Sequence, residues 1–129
     1  NRSLLADPRL DIKDTVNEIK RRQKFRPFAP AILEEHSEQF FEGPMNEYMQ
    51  FVAKAKHDYK SVTHVDGTAR VQVVKSNCQS VIRPILEEWY ELTGCPMLLN
   101  TSLNIKGQPM VDNWRHAEEF EKKYKVKVF

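Results

Sequence analysis

The stretch Pro96-Met97-Leu98-Leu99-Asn100 constrains the fold more than any other part of the chain. It is too short for a helix and too apolar for a surface loop, so the reading is a buried strand, and a strand of that kind needs other elements packed around it. The rest of the chain supplies them. Asp11 to Lys24 carries Ile12, Val16 and Ile19 at helical spacing with charges elsewhere, which predicts an amphipathic helix with a narrow apolar face. Pro27 stops it, because proline disfavours helical geometry in the residue before it. Ala29 to Leu33 reads as a short strand, and Glu34 to Phe41 as a short helix closed by Gly43-Pro44. Tyr48 to Ala55 and Thr68 to Val74 have the β-branched and aromatic content of strands, with a turn at Asp66-Gly67 between them. A second long helix over Asn77 to Leu92 sets Ile82, Ile85, Leu86 and Trp89 on one face and stops at Thr93-Gly94. Pro84 fits only near its first turn. A helix near Asn113 to Tyr124 and a strand over Val126 to Phe129 close the chain. Interleaved helices and strands without repeats predict an α/β or α+β fold.

At 129 residues with 40% hydrophobic content, the chain suits a single domain spanning 1–129. Twenty Lys and Arg against eighteen Asp and Glu leave a net charge of +2, too little for a dedicated nucleic-acid binder. Any basic function must be local. The chain opens at Asn1 without a methionine, which reads as the interior of a longer protein. No apolar run approaches the roughly 18 residues that cross a membrane. Cys78 and Cys95, the only cysteines, form no CxxC, and a helix of about fifteen residues, roughly 22 Å, lies between them, so two free thiols and a cytoplasmic location are expected.

Three segments carry candidate chemistry. In Lys20-Arg21-Arg22-Gln23-Lys24-Phe25-Arg26-Pro27, Lys20 and Lys24 share a helix face while Arg26 lies beyond the helix end, free to reach another element. Spacing alone leaves a solvated surface cluster open. In Thr63-His-Val-Asp-Gly-Thr-Ala-Arg70, the turn brings His64 and Asp66 together. Strand alternation then sets Arg70 and Gln72 on one face and Val71 and Val73 on the other. An inward-facing cation needs an anionic partner. In Asn100-Thr-Ser-Leu-Asn-Ile-Lys-Gly107, a buried strand runs into hydroxyl and amide side chains, the position where α/β sheets place ligands. Ser102 and Asn104 there offer neutral donors to phosphate oxygens, although a polar turn satisfying its own backbone reads equally well. No His or Cys stands at metal-ligand spacing.

Asn1-Arg-Ser-Leu-Leu-Ala-Asp-Pro-Arg9, Phe25-Arg-Pro-Phe-Ala-Pro30, Thr63-His-Val-Asp-Gly-Thr-Ala-Arg-Val-Gln72 and Leu98-Leu-Asn-Thr-Ser-Leu-Asn104 resemble the C-terminal domain of the NodU/CmcH O-carbamoyltransferases, in the same order and over most of the chain. The resemblance implies a YrdC-like fold, a twisted, mainly β sheet flanked by helices. It implies that ATP, with magnesium, and carbamoyl phosphate bind and form a carbamoyl adenylate, whose carbamoyl group passes to a hydroxyl acceptor. The family's recurring Lys, Arg and Ser-x-Asn map onto Lys20, Arg26, Ser102 and Asn104, with Arg70 as a third cation; Arg2 and His64 are further candidates. The catalytic groups themselves are unassigned. The partner implied is a large N-terminal ATPase-like domain of the same chain. Gln23-Lys24 stands where the family usually has an acidic residue, and Lys106 where it has arginine. A YrdC-type RNA-associated factor and a noncatalytic interaction module remain the alternative readings.

Overall fold

The computed structural model describes residues 3–21, 27–103, 113–125 and 127. Within them the fold is α+β, as the sequence predicts, with two small sheets and four helices. The larger sheet has β1 (Ser3–Ala6), β2 (Ala29–Leu33), β6 (Gln72–Val74) and β7 (Met97–Ser102), in the order β1-β7-β2-β6. β7 runs antiparallel to both neighbours, and β2 runs parallel to β6. The smaller sheet is antiparallel, with β4 (Ala53–Ala55) between β3 (Phe41–Glu42) and β5 (Thr68–Ala69).

β7 is the apolar strand that the sequence singles out, and its two faces feed two cores. Met97 and Leu99 join Leu4, Ile32, Val73, Phe28 and Val16 on one side. Leu98 joins Ala31, Leu33 and Val74 on the other, under Ile82 and Leu86 of α3 (Ile82–Thr93). A side-chain period of two dictates that division. α3 is fastened at both ends: Arg83 donates to the Val74 carbonyl (3.0 Å) and to Glu35 and Glu87, and Trp89 Nε1 donates to the Met97 carbonyl (3.0 Å). The helix therefore spans from β6 to β7. Pro84 sits in its first turn, and Gly94 at φ +71° closes it, a left-handed conformation that glycine adopts without a Cβ clash. Arg9, held by Asp7 through two side-chain hydrogen bonds and one from its backbone N–H, lies over the Trp89 ring (5.5 Å) and ties the segment after β1 to the same helix.

Several elements differ from expectation. The first helix, α1, covers only Lys13–Ile19, not Asp11 to Lys24. Its apolar face ends with Ile19, and Arg21 turns left-handed at φ +54°, which stops helical propagation. The Glu34–Phe41 helix divides into a 3-10 turn (Glu34–His36) and a single turn, α2 (Ser37–Phe40). Tyr48 to Ala55 is extended only at β4: Asn46 Oδ1 takes the backbone N–H groups of Tyr48 (3.0 Å) and Gln50 (3.4 Å), a local turn that competes with strand pairing. Thr68 to Val74 divides into β5 and β6, which belong to different sheets. The last helix, α4 (Trp114–Tyr124), forms as expected and is capped by the Asn113 side chain accepting from the His116 N–H (2.9 Å). The Val126 to Phe129 strand lies outside the described residues. Ser3–Ala6, with no clear sequence signal, becomes β1. Both cysteines are free thiols, as expected.

One histidine in the smaller sheet's core sets a pH dependence. His57 stacks among Phe40, Phe41 and Tyr59, accepts the Tyr59 N–H at Nδ1 (3.1 Å), and buries an Nε2 that finds no partner among the described residues. Burial pushes its pKa below the ordinary histidine value, against the opposing pull of Asp58. In the unfolded chain the imidazole titrates near pH ~6.5. Between that value and the lower folded one, the unfolded state binds the proton first, so stability falls as pH falls. The urea midpoint is expected to drop between pH 7 and pH 5 in the wild type and much less in His57→Phe. Equal drops in both would contradict this.

Candidate functional site

The site is built around the end of β7, and α1 is aimed at it by one buried serine. Ser61 is fully buried; its Oγ donates to the Leu10 carbonyl (2.6 Å) and accepts from the Ile12 N–H (3.1 Å), while its own carbonyl accepts from the Phe28 N–H (3.0 Å). The chain entering α1 and the chain re-entering the sheet at β2 are thus pinned at one point. The helix between them delivers Lys20 beneath the sheet end. Lys20 is only 4% exposed, and its Nζ donates to the Ser102 carbonyl at 2.6 Å, with Ser102 Oγ at 3.4 Å. At this strand end Ser102 itself is exposed.

Two of the sequence-derived site residues, 82 positions apart, are therefore in contact. Arg70 is exposed at the junction of β5 and β6 and forms no ion pair with a described residue. It does not face inward in need of an anion, because the chain leaves one sheet for the other at that residue. Val71 and Val73 are buried, while Gln72 is half-buried, as the alternation predicts. Gln72 connects this segment to β7: its Oε1 accepts from Asn100 Nδ2 at 2.8 Å. His64 is exposed in a turn that Asp66 closes, accepting from the Thr68 N–H (3.0 Å) and Oγ1 (2.6 Å). Those hydrogen bonds from Thr68 hold the Asp66 carboxyl below its ordinary value. Arg2, Arg26 and Asn104 lie outside the described residues.

Sequence reasoning missed Ser61, Gln72 and Asn100 as parts of the site. A loop serine carries no signal of its own, and the amide pair exists only once β2 has set β6 and β7 on either side of itself. Elsewhere, a groove of about 610 Å³ is lined by Glu34, Glu35, Glu38 and Glu47 with Lys75, a charge balance unsuited to polyanions. Burial raises the pKa of the Cys95 thiol, which makes it a poor nucleophile. Among the described residues, no helix is long and apolar enough to cross a membrane.

The whole chain, residues 1–129, matches the family described as the carbamoyltransferase C-terminus. It is 43% identical over 123 residues to nodulation protein NolNO of Sinorhizobium fredii, covering 88% of this chain and 18% of that protein. It is 38% identical over 113 residues to nodulation protein U of Bradyrhizobium diazoefficiens, covering 83% and 20%. An uncharacterised protein of Methanocaldococcus jannaschii is 37% identical over 118 residues, covering 86% and 19%. The chain spans about a fifth of the length of these curated relatives. With its full length matched, the chain belongs to the carbamoyltransferase C-terminus family.

Proposed function

We propose that this domain works within an O-carbamoyltransferase, binding ATP and carbamoyl phosphate and forming a carbamoyl adenylate for transfer to a hydroxyl acceptor. The observation that carries the reading is the Lys20–Ser102 contact, which brings two separate sequence motifs together at one strand end. Both substrates are polyanions, and their mutual repulsion must be neutralised before one can approach the other. In this reading Lys20, Arg26 and Arg70 hold phosphates: lysine as a compact charge, the arginines through planar two-pronged hydrogen bonds. Ser102 and Asn104 orient the nucleotide, and Arg2 and His64 are further contacts. Magnesium would accompany the ATP phosphates; among the described residues no three His, Cys, Asp or Glu side chains stand together to hold it. The N-terminal remainder of the enzyme would be the partner that carries the acceptor site, in the cytoplasm.

The balance of the reaction gives its test. Carbamoyl phosphate loses its phosphate to water, and the resulting carbamate oxygen attacks the α-phosphorus of ATP, displacing pyrophosphate. Each carbamoyl-AMP formed thus accompanies one phosphate and one pyrophosphate. The natural full-length protein, given both substrates without acceptor, is expected to release the two in equal amounts and yield carbamoyl-AMP by mass spectrometry. Binding of tRNA that falls steeply with salt, with no ATP-dependent product, would overturn the reading in favour of an RNA-associated factor.

A further inference from the structure

Helix α3 is apolar on two faces, and the fold uses one of them. Ile82 and Leu86 pack onto the sheet, in the core of Leu33, Val74 and Leu98. Val81, Ile85 and Leu92, at helical spacing on the side away from that core, are 57%, 44% and 76% exposed, and Pro84 lies open beside them. The sequence pattern sets Ile85 among the inward residues, whereas in the structure it belongs to this outer stripe. A surface helix ordinarily turns polar side chains to water, and a contiguous apolar stripe there marks a surface made to be covered. Glu88 interrupts the stripe between Ile85 and Leu92, and Glu91 flanks it; both are exposed, and neither forms an ion pair with a described residue.

The charge and size of this face narrow down what covers it. If α3 paired symmetrically with the α3 of a second copy, Glu88, near the middle of the stripe, would meet its own counterpart, and like charges brought together in an apolar contact repel. The same carboxylates disfavour an anionic lipid surface. The stripe is also small. The 12 residues of α3 rise about 18 Å and one helix face is roughly 10 Å wide, far short of the ~800 Å² per partner that holds two free proteins together. A partner within the same chain needs less area, because the covalent link keeps it close at hand. The curated relatives extend over about five times the length that this chain matches, so most of each lies outside the region of similarity.

We propose that the remainder of the full-length chain docks on the outer stripe of α3, with apolar side chains over Val81, Ile85 and Leu92 and basic side chains facing Glu88 and Glu91. The apolar contact supplies the attraction, and the paired charges fix its orientation. The inference rests on the reading of this domain as one part of a longer carbamoyltransferase, but on no step of its chemistry. The larger sheet separates the two: α3 packs with Leu98 on one face, while Val16 of α1, the helix that leads into Lys20, packs with Met97 and Leu99 on the other. Docking on α3 therefore takes place on the opposite side of the sheet from α1.

Hydroxyl-radical footprinting of the natural full-length protein, read residue by residue by mass spectrometry against the urea-unfolded protein, tests this. Ile85 and Leu92 are expected to lose most of their labelling and to fall to the level of the fully buried Leu86, although both are exposed in the domain itself. Leu92→Asp should restore the labelling of Ile85, and the domain should tolerate the change because it leaves Leu92 76% exposed. Glu88→Lys, which turns attraction into repulsion, should do the same. Labelling of Ile85 and Leu92 at the level of exposed side chains in the wild type overturns the inference, as does protection of Ile85 that survives both substitutions. Protection that fades on dilution, as light scattering shows a dimer coming apart, assigns the face to a second copy and overturns it too. The release of phosphate and pyrophosphate is measured separately, so failure here leaves the proposed chemistry standing, and failure there leaves the docking surface.

Discussion

Replacing Lys20 with methionine is expected to lower carbamoyl-adenylate formation by about 10²–10³-fold while changing the melting temperature little, the loss typical of removing one preorganised charge-stabilising donor. Methionine matches the length of the lysine stem and fills its buried path below the sheet. The Ser102 oxygens it abandons lie at an exposed strand end, where water replaces the lost hydrogen bond. What disappears is the ammonium itself, carried by a side chain that is almost wholly buried. Lys20→Arg should rescue poorly, because a 4% exposed pocket shaped for a point charge has no room for a planar fork. Single-turnover measurements with labelled carbamoyl phosphate, alongside thermal unfolding, check both arms. Unchanged turnover in a well-folded Lys20→Met protein would remove Lys20 from the site.

The second large effect concerns stability. Leu86→Ala should cost about 2–5 kcal/mol, the usual range for deleting a buried leucine side chain and leaving a cavity. Leu86 has no exposed surface and, with Ile82, packs from α3 into the cluster of Ala31, Leu33, Val74 and Leu98. Ala31 is too small to close the gap, and α3 cannot settle onto the sheet because Arg83 and Trp89 hold it to strand carbonyls at both ends. The cavity should therefore persist, which places the expectation in the upper half of the range. Urea unfolding with an unchanged m-value and a lowered midpoint would show it. A loss below about 1 kcal/mol would mean that the helix shifts after all.

What the sequence disclosed followed the strength of each local signal. β7 and the body of α3 could be read from an uninterrupted apolar run and an i, i+3, i+4 stripe ending at Gly94, although the helix begins at Ile82 and not at Asn77. β1 could not, since Ser3–Ala6 is a strand only through its antiparallel partner β7. The apparent strand over Thr68 to Val74 has the right composition throughout, yet it changes sheets at Arg70, a choice made by tertiary packing that residue preference does not encode. Lys20 and Ser102 were identified through motif resemblance, and the contact between them needed the fold. Gln72 and Asn100 were hidden for a simpler reason: what joins them across β2 is the smallness of Ala29 and Ala31, the residues opposite them, which have no polar chemistry to attract notice.

The placement of β7 has a consequence in time. During synthesis, β1 emerges from the ribosome almost a hundred residues before Met97–Ser102, the strand it pairs with, and Lys20 emerges 82 residues before the serine it contacts. Until then β1 has no neighbour in the larger sheet, and β2 can pair only with the short, parallel β6. Contacts so distant in sequence must overcome loop-closure entropy before they return any stability, which favours slow, late closure. The smaller sheet, whose strands all fall within Phe41–Ala69, can form first. A nascent chain halted before Pro96 would therefore hold its lysine without the strand it is meant to meet, and the proposed binding site would be among the last features of the domain to come into being.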